Sequence, residues 1–418
     1  MITPTLHASY KTKKTAIGEL PVEWDVCPFG RIVESSQYGV SFESAPAGRT
    51  AILRMNNING GQIDLSNLAY VSADPSELAD YIAEKGDLLF NRTNSLELVG
   101  KTAIFDSPGV FTYASYLVRF RIRASNADPY FVNYFFNLPA SRKRLRSLAT
   151  PGVSQCNINP TVLQKYFLVA LPPLPEQQRI AAVLETWDRG LERLEKVLKA
   201  KQQFKRGLMQ QLLTGKHRFS EFIGSQWTKM KTGQFTRPAQ RVVKKPDEPF
   251  KALGIRSHCK GTFLKRDFDP AAIEMMELFE VRKNDLIVNI TFAWEGAIAI
   301  VGDADDGALV SHRFPTYVFN KDLVLPEFFR YVIVQRSFVT KLGLISPGGA
   351  GRNRVLSKRD FAKIEVLIPP LPEQQRIAGV LNSCDREIEL LQAELTAFKD
   401  QKRGLMQKLL TGEVRMRS

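Results

Sequence analysis

The stretch LPPLPEQQRIAAVL, residues 171–184, returns almost unchanged as IPPLPEQQRIAGVL at residues 368–381. The two copies continue without a gap to Gly215 and Gly412, and 28 of the 45 aligned positions are identical. Weaker matches precede them at nearly the same offset, such as KGDLLFNRT from Lys85 and KNDLIVNIT from Lys283. The chain therefore consists of two copies of one module, each a globular part followed by the repeated segment.

The repeat sets the predicted domain boundaries, and each globular part is called a head from here on. We predict a first head at residues 1–171, a first helical segment at 172–215, a second head at 216–368 and a second helical segment at 369–418. The helical segments kept most of their residues, whereas the heads kept only scattered turns and strand cores. This contrast within one chain requires a physical cause.

The repeated segments have the pattern of long helices. A glutamate lies in the first turn of each, and a threonine–glycine pair ends each. Apolar residues recur at alternating spacings of four and three, as in a coiled coil, with interruptions at Lys201, Lys205 and Lys402. A helix of about 39 residues cannot bury such a seam alone. We therefore predict that the two helices pack antiparallel, related by a pseudo-twofold axis that puts one head at each end.

Helix pairing explains the repeated leucines but not the polar residues of the PPLPEQQR motif, which a two-helix seam would leave in water. One explanation is a recent duplication. The divergence of the heads favours another, a docking surface written twice for two copies of one partner. The predicted partner-binding residues are Pro172, Pro173, Leu174, Pro175, Glu176, Gln177, Gln178, Arg179, Pro369, Pro370, Leu371, Pro372, Glu373, Gln374, Gln375 and Arg376.

The charge of the chain limits the classes of partner. A net charge of +15 favours a polyanion, although a well-solvated basic surface would also account for it. The four cysteines and four histidines are scattered, which argues against a disulfide framework or a metal site. No apolar run has the length of a membrane span, and the N-terminus lacks a signal core, so a cytoplasmic location is expected.

Both heads are predicted to be mixed α/β domains. Short apolar runs such as DLLFN at Asp87 and DLIVNI at Asp285 predict strands, while DPYFVNYFFN at Asp128 and LPEFFRYVIVQ at Leu325 predict helices. The strand order does not follow from the sequence.

Polar, glycine-containing loops between these elements are the candidate DNA-binding sites. Arginine pairs with guanine and asparagine or glutamine with adenine, while lysine holds phosphates. The alternative is that such residues populate any turn. The candidates are Arg54, Asn56, Asn57, Asn91, Arg92, Thr93, Asn94, Lys101, Ser154, Gln155 and Asn157 in the first head, and Arg256, His258, Lys260, Asn289, Thr291, His312, Arg313, Arg352, Asn353 and Arg354 in the second.

Fragments that look like catalytic motifs are incomplete. GKT at Gly100 lacks the upstream glycine of a P-loop. DPYF at Asp128 lacks the second proline of the DPPY motif of amino-methyltransferases, and a helix start explains it better. The sequence therefore predicts a protein that is not itself an enzyme.

Two motifs carry a resemblance to a known family. The paired PPLPEQQRIAAVL and PPLPEQQRIAGVL, the paired GLMQxLLTG endings and the opening IGELPVEW make the chain similar to the specificity (S) subunit of type I restriction-modification systems, HsdS. The resemblance covers nearly the whole chain. It implies two target recognition domains joined and spaced by two antiparallel helices, each domain reading one half of a bipartite, asymmetric site in double-stranded DNA.

The same resemblance implies partners and their cofactors. The helical regions would recruit two methyltransferase (M) subunits, which carry S-adenosylmethionine. Where the system has them, two restriction (R) subunits would add cleavage driven by ATP and magnesium. The turn GVSQCN at Gly152 is similar to a Gly-x-x-Gln segment of the family, but its counterpart GGAGRNR at Gly348 lacks the glutamine. The alternative function is a two-headed, non-catalytic scaffold that joins proteins and has a basic surface.

Overall fold

The computed structural model describes residues 11–348 and 354–416, which form two compact units. The first unit comprises the chain up to Glu195 together with the chain from Ala393 onward, and the second comprises Lys196–Gln392. Each unit therefore contains one head, the first half of the long helix that follows it, and the second half of the other long helix.

The first head is built on a four-stranded antiparallel sheet of order β11-β9-β13-β4, accompanied by the three-stranded sheets β12-β5-β8 and β10-β15-β14. Its strands are β1 (Thr12–Thr15), β2 (Gly18–Pro21), β3 (Asp25–Pro28), β4 (Val33–Tyr38), β5 (Thr50–Leu53), β6 (Ile58–Asn59), β7 (Gln62–Ile63), β8 (Ala69–Val71), β9 (Leu88–Asn91), β10 (Thr93–Asn94), β11 (Thr102–Ile104), β12 (Phe111–Tyr113), β13 (Leu117–Ile122), β14 (Thr150–Pro151), β15 (Cys156–Asn157) and β16 (Leu168–Leu171). Its helices are α1 (Pro129–Asn137), α2 (Pro139–Ser147) and α3 (Pro160–Tyr166), and α4 (Leu174–Leu212) follows.

The second head repeats the four-stranded sheet as β24-β23-β26-β18, while its other large sheet has five strands in the order β19-β22-β25-β20-β21. Its strands are β17 (Thr228–Lys231), β18 (Thr236–Ala239), β19 (Val242–Lys244), β20 (Phe250–Ile255), β21 (Thr262–Phe268), β22 (Glu277–Glu280), β23 (Leu286–Val288), β24 (Ile298–Ile300), β25 (Leu309–Val310), β26 (Thr316–Phe319) and β27 (Glu365–Ile368). Its helices are α5 (Thr232–Phe235), α6 (Pro326–Val332), α7 (Arg336–Leu344) and α8 (Lys358–Phe361), and α9 (Leu371–Leu410) follows. The mixed α/β class and the two copies are confirmed.

The start of α1 shows why DPYF is a helix signal. Pro129 occupies the first helical position, where its missing N–H costs nothing, and the Asp128 carboxylate accepts a hydrogen bond from the Phe131 N–H at 2.8 Å. This side chain therefore caps a helix, as the sequence predicted.

The long helices have 39 and 40 residues, as the heptad pattern predicted. Gly215 and Gly412, just beyond their ends, have left-handed φ values of +70° and +75° that favour glycine. In the first unit, the ring centroids of Trp187 and Phe398 lie 5.5 Å apart. In the second unit, Lys201 pairs with Glu387 at 2.7 Å. Asp188 pairs with Lys402 and Glu195 with Lys399 in the first unit, and Lys205 pairs with Asp385 in the second. In each unit the residue number therefore rises on α4 as it falls on α9, so the antiparallel packing is confirmed.

Each head packs its aromatic core directly on the helices of its unit. The core of the first unit joins buried phenylalanines such as Phe120 to Ile180 and Leu184 of α4. The core of the second unit joins Phe329 to Ile377 and Leu381 of α9 in the same way. The heptad seam is therefore shared, since part of it faces the other helix and part faces the head.

Candidate nucleic-acid interface

In the first head, the end of β9 brings together loops that are far apart in sequence. Strand β10 pairs with β15, and the Thr93 hydroxyl donates to Asn157 Oδ1 at 3.1 Å across a separation of 64 residues. The Ile158 N–H donates to the Arg92 carbonyl at 2.8 Å. On the other side, the Asn94 amide contacts Met55 Sδ at 3.5 Å. The loops at residues 54–61, 91–95 and 152–157, which contain most of the predicted DNA-binding residues of this head, therefore converge on one surface.

Several candidate side chains on this surface are free to meet a ligand. Ser154 and Gln155 are exposed at the apex of the β14–β15 turn, which the Gly152 N–H closes by donating to the Gln155 carbonyl at 2.8 Å. The Arg92 guanidinium lies 4.9 Å from the centroid of the Tyr38 ring, which orients it. Exposed Asn56, half-buried Arg54 and half-buried Lys101 border the same region.

Two asparagines of the first head are structural, which corrects their prediction as DNA contacts. Asn57 is 1% exposed; its Nδ2 donates to the carbonyls of Asp64 and Asn67, and its Oδ1 accepts from the Arg54 N–H. Asn91 is fully buried, and its Oδ1 accepts from the Thr93 N–H at 3.3 Å. Both side chains are turned into the protein, where they shape the turns that present their neighbours.

The second head repeats part of this framework. Asn289 Oδ1 accepts from the Thr291 N–H at 3.0 Å, and the Leu356 N–H donates to the Ile290 carbonyl at 2.9 Å, as Ile158 does to Arg92. The Ile290 N–H donates to the Arg313 carbonyl at 3.0 Å. Arg313 and the neighbouring His312 therefore lie beside this strand end, although Asn289 itself has the supporting role of Asn91.

The turn Arg256–Gly261 between β20 and β21 is held in a strained conformation. His258 and Cys259 both have left-handed φ values, 61° and 53°, which are uncommon for residues other than glycine. Their N–H groups donate to the carbonyls of Glu295 and Gly296 at 2.7 and 2.9 Å. Such strain persists only where the surroundings hold it, and it often marks a functional site. Here it presents exposed His258 and Lys260 on a rigid turn.

Sequence reasoning missed one member of this surface. Trp294 precedes the Glu295 carbonyl that holds the turn, and the Arg354 guanidinium lies 5.2 Å from a Trp294 ring centroid. A half-buried tryptophan in the short segment TFAWEG was the available signal. Arg354 thus lies near the His258 turn, while Arg352 and Asn353 lie outside the described residues.

The PPLPEQQR glutamates anchor the helices, which corrects the expectation that they lie in water. Glu176 is 3% exposed and accepts two hydrogen bonds at 2.7 Å from the Arg415 guanidinium. Glu373 is 1% exposed and accepts from the Arg218 guanidinium at 2.9 and 2.6 Å, and from Trp227 Nε1 at 2.9 Å. In each unit the first turn of one helix is therefore tied to the arginine that follows the end of the other.

The side chain of the first glutamine in the motif also makes its hydrogen bonds within the chain. Gln177 Oε1 accepts from the Asp128 N–H at 2.9 Å, and its Nε2 donates to the Pro172 carbonyl at 2.8 Å. Gln374 Oε1 accepts from the Leu325 N–H at 2.9 Å in the equivalent place. Both side chains tie the long helix to the residue that starts the head's own helix. Their hydrogen bonds are therefore made within the chain and not, as predicted, to a partner.

The remainder of the motif is divided between buried and accessible residues. Pro172 and Pro369 are buried, and Leu174, Arg179, Pro370 and Leu371 are half-buried. The exposed members, which stay candidates for docking, are Pro173, Pro175, Gln178, Pro372, Gln375 and Arg376.

Two of the three lysines that interrupt the heptad seam, Lys205 and Lys402, have a common explanation. In the first unit Lys402 pairs with Asp188 on the opposite helix, and the Tyr134 hydroxyl from the head donates to Asp188 Oδ2 at 2.6 Å. Burial, then the Asp188 carboxylate, raises the pKa of Tyr134. The second unit has the same three-residue cluster, composed of Tyr331, Asp385 and Lys205. These polar positions fix how each head and the two helices meet.

A family model for the type I restriction modification DNA specificity domain matches residues 21–202 and 257–398. The chain belongs to this family. The resemblance seen in the motifs is confirmed, and with it the prediction of a DNA-recognition subunit that is not itself an enzyme.

Individual relatives agree with this membership. A putative type I restriction enzyme MjaX specificity subunit of Methanocaldococcus jannaschii is 27% identical over 428 residues, covering 97% of each chain. The EcoKI specificity subunit of Escherichia coli K12 is 28% identical over 148 residues, covering 35% of this chain and 32% of that protein. The crystal structure of a type I restriction-modification S subunit from M. genitalium has a similar fold, with a TM-score of 0.60 at 15% identity, covering 98% of this chain and 99% of that one.

Among the described residues, no helix combines the length and the apolar character that spanning a bilayer requires. Within the same residues, no three metal-ligating side chains gather where they could hold an ion.

Proposed function

We propose that this specificity subunit reads a bipartite DNA site with its two heads and docks two methyltransferase subunits through the exposed residues at its helix starts. The observation that carries the proposal is the repeated strand end, where the turns at Asn91–Thr93 and Asn289–Thr291 share backbone hydrogen bonds but have Arg92 in one head and Ile290 in the other. Two heads with a common backbone framework but different exposed side chains are suited to recognising two different DNA sequences.

The partners would bring the chemistry. S-adenosylmethionine would bind the methyltransferase subunits, and ATP and magnesium would serve restriction subunits where they are present. The basic charge of +15 would supply phosphate contacts, so affinity for DNA should fall steeply as salt rises. A protein-joining scaffold would lack that dependence.

Head-specific variants test the proposal. We expect Gln155→Ala to relax the base preference of one half-site and His258→Ala that of the other, because each removes an exposed polar side chain from one head. The loss of a good base contact reduces discrimination by about 1–3 kcal/mol. The measurement is genome-wide mapping of methylated adenines in cells that express each variant with its methyltransferase partner.

Lys143→Ala is the control, since this exposed residue lies on α2 and belongs to none of the converging loops. It should leave both half-sites unchanged. One head's variant altering the preference at both half-sites would contradict the assignment of one half-site to each head.

A further inference from the structure

The second head contains a cavity lined by aromatic residues that has no part in the site described above. Its volume is about 350 Å³, and its walls come from β18 and β26 of the four-stranded sheet, β22 of the five-stranded sheet, and α8. Phe279 and Phe314 line it and are half-buried, and Phe361 lies behind Tyr317 with ring centroids 5.0 Å apart. All of these residues belong to the second unit.

One polar group lies in this aromatic wall. Tyr317 is 5% exposed and lines the cavity, and among the described residues no hydrogen bond of its hydroxyl is seen. Burial raises the pKa of Tyr317 to about 12, so the hydroxyl is a neutral donor at pH 7. The hydroxyl can therefore donate a hydrogen bond to a polar group that enters the cavity.

The rim of the cavity is cationic. Exposed Lys358 and His312 are among its lining residues, and the described lining includes no aspartate or glutamate. The rim is also next to the candidate reading surface, because His312 precedes Arg313, whose carbonyl accepts from Ile290 at the strand end. An occupant with an aromatic body and an anionic substituent would match both the walls and the rim.

The first head has no phenol at the corresponding position. Phe120 faces Leu88 across the sheet, as Tyr317 faces Leu286, so a phenyl ring replaces the phenol. Phe29 follows β3 at the position where Thr232 follows β17, and its ring packs 5.1 Å from that of Phe120. A phenylalanine ring packs at this place in both heads, Phe29 in the first and Phe361 in the second, so the Tyr317 hydroxyl is what distinguishes the second head.

We propose that this cavity binds a nucleobase, which would lie among the phenylalanines with its polar edge at the Tyr317 hydroxyl and its phosphate at Lys358 and His312. The base could come from a free nucleotide or be turned out of the DNA half-site, and the second source rests on the proposed function. Turning out a base costs a few kcal/mol, which stacking on aromatic side chains, at about 1–3 kcal/mol per base, can offset.

Two arms of one experiment separate the sources. In the first, the full chain alone is titrated calorimetrically with AMP, dCMP, dGMP and dTMP. In the second, the chain with its methyltransferase partner binds target DNA that carries 2-aminopurine at each half-site position in turn, and fluorescence reports unstacking. DNA binding is measured separately, so a chain that fails to bind DNA still leaves the nucleotide arm to decide.

Tyr317→Phe is the decisive variant, because it installs the residue that the first head already has and should fold. Losing one neutral hydrogen bond should weaken nucleotide binding about 3- to 10-fold, or reduce the fluorescence rise at the extruded position. Lys358→Gln should weaken binding as well and reduce its salt dependence. Lys321→Gln, an exposed lysine of the same head outside the cavity, should have no effect.

A nucleotide that binds and responds to both cavity variants supports a free ligand, and a fluorescence rise that responds to them supports an extruded base. The proposal is overturned if neither signal appears, or if the signals are the same in wild type, Tyr317→Phe and Lys358→Gln.

Discussion

The junctions between head and helices differ sharply from the reading loops in how they diverged. The main junction contacts recur: Glu176 with Arg415 matches Glu373 with Arg218, and Gln177 matches Gln374. At the strand ends only the backbone bonds and the supporting asparagines recur, and the exposed side chains differ. The comparison teaches that near-identity in the PPLPEQQR motif has a substantial internal cause, because its buried polar groups leave few acceptable substitutes.

The strongest test of this comparison is a substitution that removes a charge from one junction. We expect Arg415→Met to lower the free energy of unfolding by about 3–5 kcal/mol, because it leaves the Glu176 carboxylate buried without its arginine. The Arg415 guanidinium also lies 2.8 Å from the Glu23 carboxylate. This carboxylate is about half exposed, so the loss of this ion pair should cost little stability. Chemical denaturation of the full chain measures the effect.

Arg403→Met is the matched control, since its guanidinium is exposed on α9 and pairs with Asp400 on the surface. It should cost no more than about 1 kcal/mol. The double variant Glu176→Gln, Arg415→Met should recover part of the loss. Equal, small effects of Arg415→Met and Arg403→Met would show that the junction is not an anchor.

The adjacent glutamines sharpen the distinction between anchoring and docking. Gln177→Ala should lower the free energy of unfolding by about 1–3 kcal/mol, because it leaves the Asp128 N–H buried without an acceptor. Gln178→Ala, at the exposed neighbour, should change stability by less than about 0.5 kcal/mol but weaken association with the methyltransferase subunit. Denaturation and a pull-down titration on both variants measure this.

The reverse pattern, in which Gln178→Ala destabilises and Gln177→Ala impairs only association, would refute the division of the motif into internal and external residues. Gln375→Ala provides the same control in the second unit.

The sequence predicted the elements whose signals are local. The heptad spacing gave both long helices and their antiparallel pairing, and DLLFN and DLIVNI marked β9 and β23. It did not reveal that Glu176 is buried, because its arginine lies 239 residues away and periodicity carries no information on such a contact. A clue existed in the arginine that follows both threonine–glycine ends, in TGKHR and TGEVR.

The candidate site was predictable as a set of loops but not as individual contacts. Residue type suggested Asn57 and Asn91 as base readers, yet both amides bond to nearby backbone, which the same chemistry permits equally well. Only the tertiary position decides between the two uses. The strained turn at His258 could not be predicted either, because the carbonyls that hold it come from residues 295 and 296.

The smallest expected effect concerns the cluster of Tyr134, Asp188 and Lys402, and it depends on pH. The pKa of Tyr134 is raised above its ordinary value of about 10, so the folded chain keeps this proton at a pH where the unfolded chain has lost it. Stability from this group is therefore complete below about pH 10 and declines as the pH rises above it, by about 1.4 kcal/mol per pH unit. Tyr134→Phe should cost about 0.5–1.5 kcal/mol at pH 7 through the lost hydrogen bond, and its unfolding free energy should then fall less steeply than that of the wild type above pH 10.

Tyr166→Phe, at an exposed ring, is the control and should unfold like the wild type at pH 7. Denaturation curves between pH 7 and 11 provide the test, and an alkaline slope that Tyr134→Phe leaves unchanged would mean that this hydroxyl does not tie the head to the helices.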